Sequence, residues 1–334
     1  MGYLMPGSLV FVLNSGNSLV MWVVLEVFSL YVLFVILRHN LRDVNMVGVV
    51  YYFLVQGVGG VILAFGVIYE LSIFGNCYAF QCPVSYLGLG CIVLGLLLKL
   101  GIFPFYFWVV WVYKLLDGVQ CYYVAVYPKI FPFLFLFSLF GQVEASIFFF
   151  VGLASIFLSG VEGLYVSDIR EFMGYSSIGH GGWMLFCFYG GVVLFMLYYI
   201  IYYVCNYIVF NMMFGRGFNI FFGFGRGRLV VGTGFILFII ILNLGGFAPS
   251  LGFGLKLMIL NSVMFSWGVV GGLVLLFMTV AAILFYVRFI QFLYSINNNY
   301  RIGRSVVWKR WFRGCTQVGL FLVFVVFYWG LFIV

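Results

Sequence analysis

Apolar segments of about 20 residues, the length of one helical membrane crossing, follow one another along almost the whole chain. Two examples, Leu19–Leu37 and Gly191–Phe214, are apolar at odd and even positions alike. A strand of a transmembrane β-barrel alternates apolar and polar side chains, so this pattern favours helices. The sequence therefore predicts an all-α fold, a polytopic bundle of transmembrane helices.

The composition excludes the soluble classes of protein. Of 334 residues, 66% are hydrophobic and 7% are charged, whereas soluble domains carry about 25% charged residues. The net charge of +8 comes from only 16 Lys and Arg, which argues against a nucleic-acid partner. The 7 Cys are scattered without the spacing of metal ligands, so no metal site is expected. The first Lys or Arg is Arg38, so we expect no cleavable targeting segment.

We predict eleven membrane crossings, two of which are discontinuous. Their boundaries, in chain order, are about 3–13, 19–37, 46–69, 84–111, 119–140, 145–161, 172–188, 191–214, 229–267, 268–295 and 316–334. The fourth is interrupted at Gly101 and Pro104, and the ninth at Gly245, Gly246 and Pro249. Interrupted helices free backbone groups within the membrane, where protein or water must satisfy them.

The distribution of loop cations supports this count. Twelve Lys and Arg fall in even-numbered connections and none in odd-numbered ones, as the positive-inside rule expects. The twelve are Arg38, Arg42, Lys114, Arg170, Arg216, Arg226, Arg228, Arg301, Arg304, Lys309, Arg310 and Arg313. We therefore expect the N-terminus on the positive side, which is the matrix or the cytoplasm.

Apart from Arg288, which lies close to the end of its crossing, four charged residues fall inside predicted crossings, where a charge costs roughly 2.5–3.5 kcal/mol on insertion scales. They are Glu26, Lys99, Lys129 and Lys256. Burial disfavours the charged form of lysine, so a buried lysine can take up and release a proton. The four residues therefore predict an intramembrane proton relay. The alternative is that the aliphatic part of each side chain stays within the membrane while its charged end reaches the membrane–water interface.

The two breaks adjoin two of these lysines and lie five helices apart. Because five is an odd number, two consecutive five-helix repeats would have opposite orientations in the membrane. Such inverted repeats surround the ion pathway in many transporters. We expect one repeat over 1–140, an inverted one over 145–295, and a final helix over 316–334. The alternative is that the prolines only kink helices of the core.

A polar segment opens the seventh crossing, with Tyr175, Ser176, Ser177 and His180. These side chains can carry a hydrogen-bonded water chain, and histidine titrates near neutrality. The alternative is a histidine hydrogen-bonded between packed helices, with glycines permitting close contact. The sequence leaves both interpretations open.

Seven short segments between residues 22 and 288 carry a more specific pattern. They are Trp22–Glu26, Tyr52–Gln56, Lys99–Trp108, Tyr127–Pro132, Tyr175–Trp183, Leu244–Lys256 and Phe285–Arg288. In sequence and in order they resemble the motifs of the NADH dehydrogenase subunit 2 family. The members of this family are mitochondrially encoded, antiporter-like membrane subunits of respiratory complex I.

The resemblance implies a multi-pass subunit of the H⁺-translocating NADH:ubiquinone reductase in the mitochondrial inner membrane, with its N-terminus in the matrix. It implies that Glu26, Lys99, Lys129 and Lys256 contribute to proton translocation. The implied partners are other membrane-arm subunits of complex I and inner-membrane phospholipids such as cardiolipin. NADH, FMN, iron–sulfur clusters and ubiquinone would be bound by other subunits, so no cofactor is expected in this chain. The sequence likewise contains no nucleotide loop or cluster-ligand spacing.

The sequence departs from the family pattern at several positions, and two other functions stay open. The departures are Tyr106, Val110, Trp111, Glu171, Ala248 and Leu255. Tyr106 stands where the family has His, Trp111 where Glu is usual, and Glu171 where a basic residue is usual. The alternatives are a stand-alone cation/proton antiporter of the same superfamily and a non-pumping membrane scaffold.

Overall fold

The computed structural model describes residues 17–38, 43–74, 85–166, 168–214, 231–248 and 250–298. These residues form ten α-helices and one 3-10 turn, which confirms the predicted all-α fold. The helices are α1 Ser18–Arg38, α2 Asp43–Phe74, α3 Tyr86–Leu100, α4 Phe107–Leu115, α5 Gly118–Leu139, α6 Ala145–Gly163, α7 Ile169–Phe186, α8 Val192–Phe214, α9 Val231–Gly245 and α10 Leu251–Asn298. Outside the described residues lie the predicted crossings 3–13 and 316–334, Pro249, and the loop cations Arg42, Arg216, Arg226, Arg228, Arg301, Arg304, Lys309, Arg310 and Arg313.

Six helical stretches of the described chain are long and apolar enough to span a membrane. They are Ser18–Arg38, Met46–Ile73, Gly118–Leu139, Ala145–Gly163, Val192–Met213 and Leu251–Gln291. Helix α7, predicted as the seventh crossing, is not one of these six. It carries the polar segment, and most of its residues are buried by protein, which allows a more polar sequence.

The first predicted break separates α3 from α4. Gly101 ends α3 at φ +64°, and its N–H donates to the carbonyls of Leu97 (3.0 Å) and Leu98 (3.2 Å). The N–H of Ile102 also reaches the Leu97 carbonyl at 3.4 Å. This is a Schellman motif, which favours glycine because other residues are strained at positive φ. The peptide bond between Phe103 and Pro104 is cis, and the chain resumes as α4 at Phe107.

The second predicted break, between α9 and α10, repeats this hydrogen-bond pattern. Gly246 lies at φ +77°, and its N–H donates to the carbonyls of Leu242 (3.0 Å) and Asn243 (3.1 Å). The N–H of Phe247 reaches the Leu242 carbonyl at 3.1 Å. Both predicted discontinuous helices are thus present, and both end in the same motif.

Helix α10 contains the predicted boundary between the ninth and tenth crossings. Gly268 has φ +68° and ψ −173°, which is not helical. A Cβ added to Gly272 would overlap the side chain of Met264. In a straight helix eight residues span about 12 Å, so the chain must bend sharply between these two positions.

The chain divides into two compact units, and among the described residues the first comprises α1–α5, the start of α6, and α7. In this unit α2 packs against α1, α3 and α4, while α5 packs against α1, α3 and α7. The second unit comprises the end of α6 and α8–α10, in which α8, α9 and α10 contact one another. The division into compact units does not test whether the two halves share a fold. The repeats 1–140 and 145–295 therefore remain a prediction.

Glycines bring α2 and α3 unusually close together. A Cβ added to Gly66 would lie 2.8 Å from the Gly88 carbonyl oxygen. One added to Gly95 would lie 3.0 Å from the Gly59 carbonyl oxygen. Small residues allow such close backbone approach between membrane helices. This contact fixes the end of α3, which carries Lys99, against the middle of α2.

Substitution of Gly101 tests the geometry of the first break. Gly101→Ala should lower the free energy of unfolding by about 1–2 kcal/mol, because an L-residue is strained in the left-handed conformation. The added methyl group would also overlap the side chain of Val109. The measurement is thermal unfolding in detergent, with Gly57→Ala as control, since nothing lies within 4 Å of a Cβ added at Gly57. Equal effects of the two substitutions would contradict the assigned geometry.

Candidate intramembrane charge site

Two of the four predicted relay residues form a direct ion pair. The Lys99 Nζ donates to the Glu26 Oε1 at 2.6 Å, which joins the end of α3 to the middle of α1. The lysine side chain is 2% exposed and the glutamate 28%. Removing one partner of a buried pair leaves an uncompensated charge, so the pair ties the position of each helix to the other.

Two adjacent glycines of α2 make room for this pair. A Cβ at Gly59 would lie 2.9 Å from the Lys99 Cγ, and one at Gly60 would overlap the Glu26 carboxylate. The Gly60 carbonyl accepts a hydrogen bond from the Trp22 Nε1 at 3.2 Å. Both charged side chains therefore lie directly on the backbone of α2.

Side chains satisfy the carbonyls that the first break leaves at the end of α3. The Gln56 Nε2 donates to the Lys99 carbonyl at 3.2 Å. The Trp108 Nε1 is a second donor, at 3.0 Å, to the Leu98 carbonyl, which also accepts from the Gly101 N–H. Carbonyls at a helix end lack partners within the helix and need such donors when buried. The interrupted backbone is thus held by α2 and α4.

Lys129 is buried in α5 of the same unit, at 4% exposure. Its Nζ donates a hydrogen bond to the Ser177 carbonyl of α7. The neighbouring glycine of α7 permits this approach, since a Cβ at Gly181 would lie 4.0 Å from the Lys129 Nζ and 3.1 Å from the Ile102 Cγ1. Lys129 therefore lies near the first break, because Ile102 belongs to that break.

The polar segment of α7 faces the interior of the first unit. Ser176, Ser177 and His180 are buried, and Tyr175 is half-buried. The Ser177 hydroxyl donates to the Gly174 carbonyl at 2.8 Å, one turn earlier. Within this segment, Ser177 is the residue whose backbone carbonyl accepts the hydrogen bond from Lys129. A motif defined by side chains does not predict this role.

Lys256 lies in the second unit, where it caps the second break. Its Nζ donates to the carbonyls of Leu244 (3.1 Å) and Gly245 (2.9 Å), which are the last residues of α9. A cation at this position is stabilised by the negative end of the helix dipole. Gly246 makes the approach possible, since a Cβ there would lie 2.9 Å from the Lys256 Nζ.

Asn243 also stabilises the second break, a role that no sequence motif predicts. Its Oδ1 accepts from the Gly252 N–H at 2.7 Å, which links the end of α9 to the start of α10. Its Nδ2 lies 3.0 Å from the Cys205 Sγ of α8. A lone asparagine in an apolar helix is the signal that could have identified it, as Gln56 could have been identified in α2.

Charged residues around the turn between α4 and α5 form a second group, the turn charges Lys114, Asp117, Arg170 and Glu171. The Lys114 Nζ lies 3.2 Å from the Glu171 Oε1 and 5.9 Å from the centre of the Trp111 ring. Arg170 donates to the Leu116 carbonyl at 2.8 Å and lies 3.9 Å from Asp117. Two departures from the family pattern, Trp111 and Glu171, thus contact the same lysine.

The other departures lie at the two breaks or in the helices that follow them. Tyr106 is buried immediately before α4 and stacks on Phe107 at 4.1 Å between ring centres. Val110 is buried within α4, and Leu255 is buried within α10. Ala248 lies half-buried in the second break. None of these substitutions introduces a charge.

A double-mutant cycle tests the ion pair energetically. Glu26→Gln and Lys99→Met should each lower the free energy of unfolding, and the double variant should lose less than the sum. Residues in direct contact show coupling of about 0.5–3 kcal/mol in such cycles. The measurement is thermal unfolding of the four proteins in detergent. Strictly additive losses would mean that the contact contributes nothing.

Comparison with known proteins identifies the family. The model described as NADH:quinone oxidoreductase/Mrp antiporter, TM, matches residues 15–285. NADH-ubiquinone oxidoreductase chain 2 of Pisaster ochraceus is 28% identical over 244 residues, covering 71% of this chain and 67% of that protein.

Solved structures share the fold at lower sequence identity. A chain of respiratory complex I from Thermus thermophilus has a TM-score of 0.70 and 20% identity, covering 83% of this chain and 66% of its own length. A chain of the Mrp complex from Dietzia sp. has a TM-score of 0.72 and 13% identity. The match covers 83% of this chain and 57% of that one. Since the family model matches most of its length, this chain belongs to the NADH:quinone oxidoreductase/Mrp antiporter transmembrane family.

Proposed function

We propose that this chain is a membrane subunit of respiratory NADH:ubiquinone oxidoreductase that contributes to proton translocation across the mitochondrial inner membrane. Glu26, Lys99, Lys129 and Lys256 would carry the proton through this subunit. The names of the similar proteins support the first part, since NADH-ubiquinone oxidoreductase chain 2 recurs among them. The charge site supports the second part.

The observation that carries the proposal is the Lys99–Glu26 pair beside an interrupted helix. A lysine that only needed to be neutralised could sit in a continuous helix. Here the pair lies where Gly101 ends α3. Irregular backbone at membrane depth occurs where protein buries it or where it lines a water-filled cavity, and in transporters it marks the ion pathway. The charge and the break together favour an ion pathway over a simple structural pair.

The mechanism follows from electrostatics in a medium of low dielectric constant. Two like charges about 10 Å apart repel by about 1.7 kcal/mol at an effective dielectric constant of about 20. That energy changes the ratio of protonated to neutral lysine at the neighbouring site more than tenfold. Protonation of Lys99, balanced by Glu26, would therefore change the charge that Lys129 can hold, and Lys256 would be the last member of the proposed relay.

Backbone carbonyls are hydrogen-bond partners of two of the lysines. Lys256 donates to two carbonyls at the end of α9, and Lys129 donates to a carbonyl of α7. Carbonyl oxygens carry a partial negative charge, so such contacts hold an ammonium group at a fixed place. A carbonyl accepts a hydrogen bond from the ammonium group and from the neutral amine alike. This arrangement suits a site whose charge must change during turnover.

The redox chemistry belongs to other subunits in this proposal. NADH, FMN, the iron–sulfur clusters and ubiquinone would be bound there, and this chain would bind other membrane-arm subunits and phospholipids such as cardiolipin. The N-terminus would lie in the matrix, on the side that carries Arg38, Lys114 and Arg170. The pumping step in this chain would be driven by electrostatic and mechanical coupling to those partners.

A second candidate function is a stand-alone cation/proton antiporter. The description of the matching family favours it, since it names the Mrp antiporter beside NADH:quinone oxidoreductase. The two functions differ in their energy source. A stand-alone antiporter exchanges ions without NADH or quinone, whereas a complex I subunit moves protons only while electrons flow.

Substitution of Lys129 tests the proposal. Lys129→Met should leave the complex assembled but abolish the share of proton transfer that this subunit contributes, because methionine fills a similar volume without a titratable group. The measurement is NADH-driven acidification in sealed membrane vesicles, with NADH oxidation followed in parallel. Arg38→Met is the matched control, since it removes an exposed cation from the last turn of α1.

The two outcomes separate the candidates. Normal NADH-driven pumping by Lys129→Met, in an assembled complex, would contradict the relay. Cation/proton exchange by the isolated chain in liposomes, without NADH or quinone, would favour the stand-alone antiporter instead.

A further inference from the structure

Tyr52 is a buried tyrosine of α2 whose hydroxyl takes no part in the contacts described above. The side chain is 0% exposed. Its hydroxyl is buried and makes no hydrogen bond within the part of the chain that the structure describes. The centre of its ring lies 6.0 Å from that of Trp108. A buried hydroxyl without a partner costs about 1–3 kcal/mol, so such groups are rare in native proteins.

The position of Tyr52 on α2 places it between two groups of charged residues. The buried face of α2 presents Gly48, Tyr52, Gln56 and Gly60 at intervals of one helical turn. At one end, a Cβ added to Gly48 would lie 2.9 Å from the Leu115 Cβ, beside the turn charges. At the other end, Gly60 lies against the Glu26 carboxylate. Tyr52 and Gln56 therefore lie between the turn charges and the Lys99–Glu26 pair.

The spacing between these groups is longer than one hydrogen bond. Four residues of helix rise about 6 Å, so Tyr52 starts about 12 Å along α2 from Gly60. Gln56 lies between them and donates to the Lys99 carbonyl. Hydrogen bonds reach only about 3 Å, so one or two bridging waters are needed to complete a chain of this length.

We propose that the Tyr52 hydroxyl binds a buried water and is one station of a proton path from the turn charges to the Lys99–Glu26 pair. This inference rests on the proposed function, to which it adds an entry route. The hydroxyl accepts a proton from water on one side while its own proton passes to water on the other. It ends neutral, with no net gain or loss, and Lys99 or Glu26 takes up the transferred proton.

The test compares Tyr52→Phe with Tyr51→Phe in the assembled complex. Tyr51 is the matched control because it undergoes the same chemical change while its side chain is 40% exposed. We expect Tyr52→Phe to slow NADH-driven proton translocation about fivefold to tenfold, the effect of losing one hydrogen bond from the path. The solvent deuterium isotope effect on that rate should rise, because proton delivery then limits turnover. Tyr51→Phe should match the wild type in both respects.

Direct observation of the water provides the second measurement. In a high-resolution cryo-electron microscopy map of the complex, ordered density should lie within hydrogen-bond distance of the Tyr52 oxygen and be absent in Tyr52→Phe. A dry site with an unchanged rate and isotope effect in Tyr52→Phe would overturn the inference. If Lys129→Met has lost pumping in the same assay, that result would leave the proposed function intact. If Lys129→Met pumps normally, the proposed function itself fails.

Discussion

The interior of a membrane protein offers a buried ammonium group no bulk water, and the first unit is arranged around that constraint at Lys99. The lysine reaches the Glu26 carboxylate at 2.6 Å only because Gly59 and Gly60 keep α2 free of side chains at this point. The same close contact requires Gly66 and Gly95 further along the two helices. The ion pair, the glycines and the end of α3 therefore depend on one another. A substitution at any of them disturbs the charge site as well as the packing.

The two breaks end in the same Schellman motif but satisfy their carbonyls differently. In the first break, Gln56 and Trp108 are the donors, and neither can lose its role through titration. In the second break the donor is Lys256, whose charge can change. The backbone of the first break is therefore independent of proton occupancy, with Lys99 free to pair with Glu26. In the second break, the attraction between the lysine and the negative end of α9 depends on the lysine's charge.

Local features were predictable from the sequence because they depend on neighbouring residues. Gly101 and Gly246 marked both breaks, since few residues besides glycine end a helix in the left-handed conformation. The pairing of Glu26 with Lys99 was not predictable from the residues alone, because 73 positions separate them and only packing brings them together. The roles of Gln56, Asn243 and the Ser177 carbonyl depend likewise on contacts between distant helices. Helix α7 belongs to the first compact unit, although the predicted repeats place it in the second half of the chain.

Exchange of the two charges tests most directly whether the Lys99–Glu26 pair does more than hold helices together. The variant combines Glu26→Lys with Lys99→Glu, which keeps an ion pair but places the carboxylate beside the negative end of α3. The measurement is the number of protons translocated per NADH oxidised by the assembled complex. A relay predicts partial recovery of stability relative to either single substitution, but a reduced proton yield. Wild-type proton yield in the exchanged variant would contradict the account and identify the pair as purely structural.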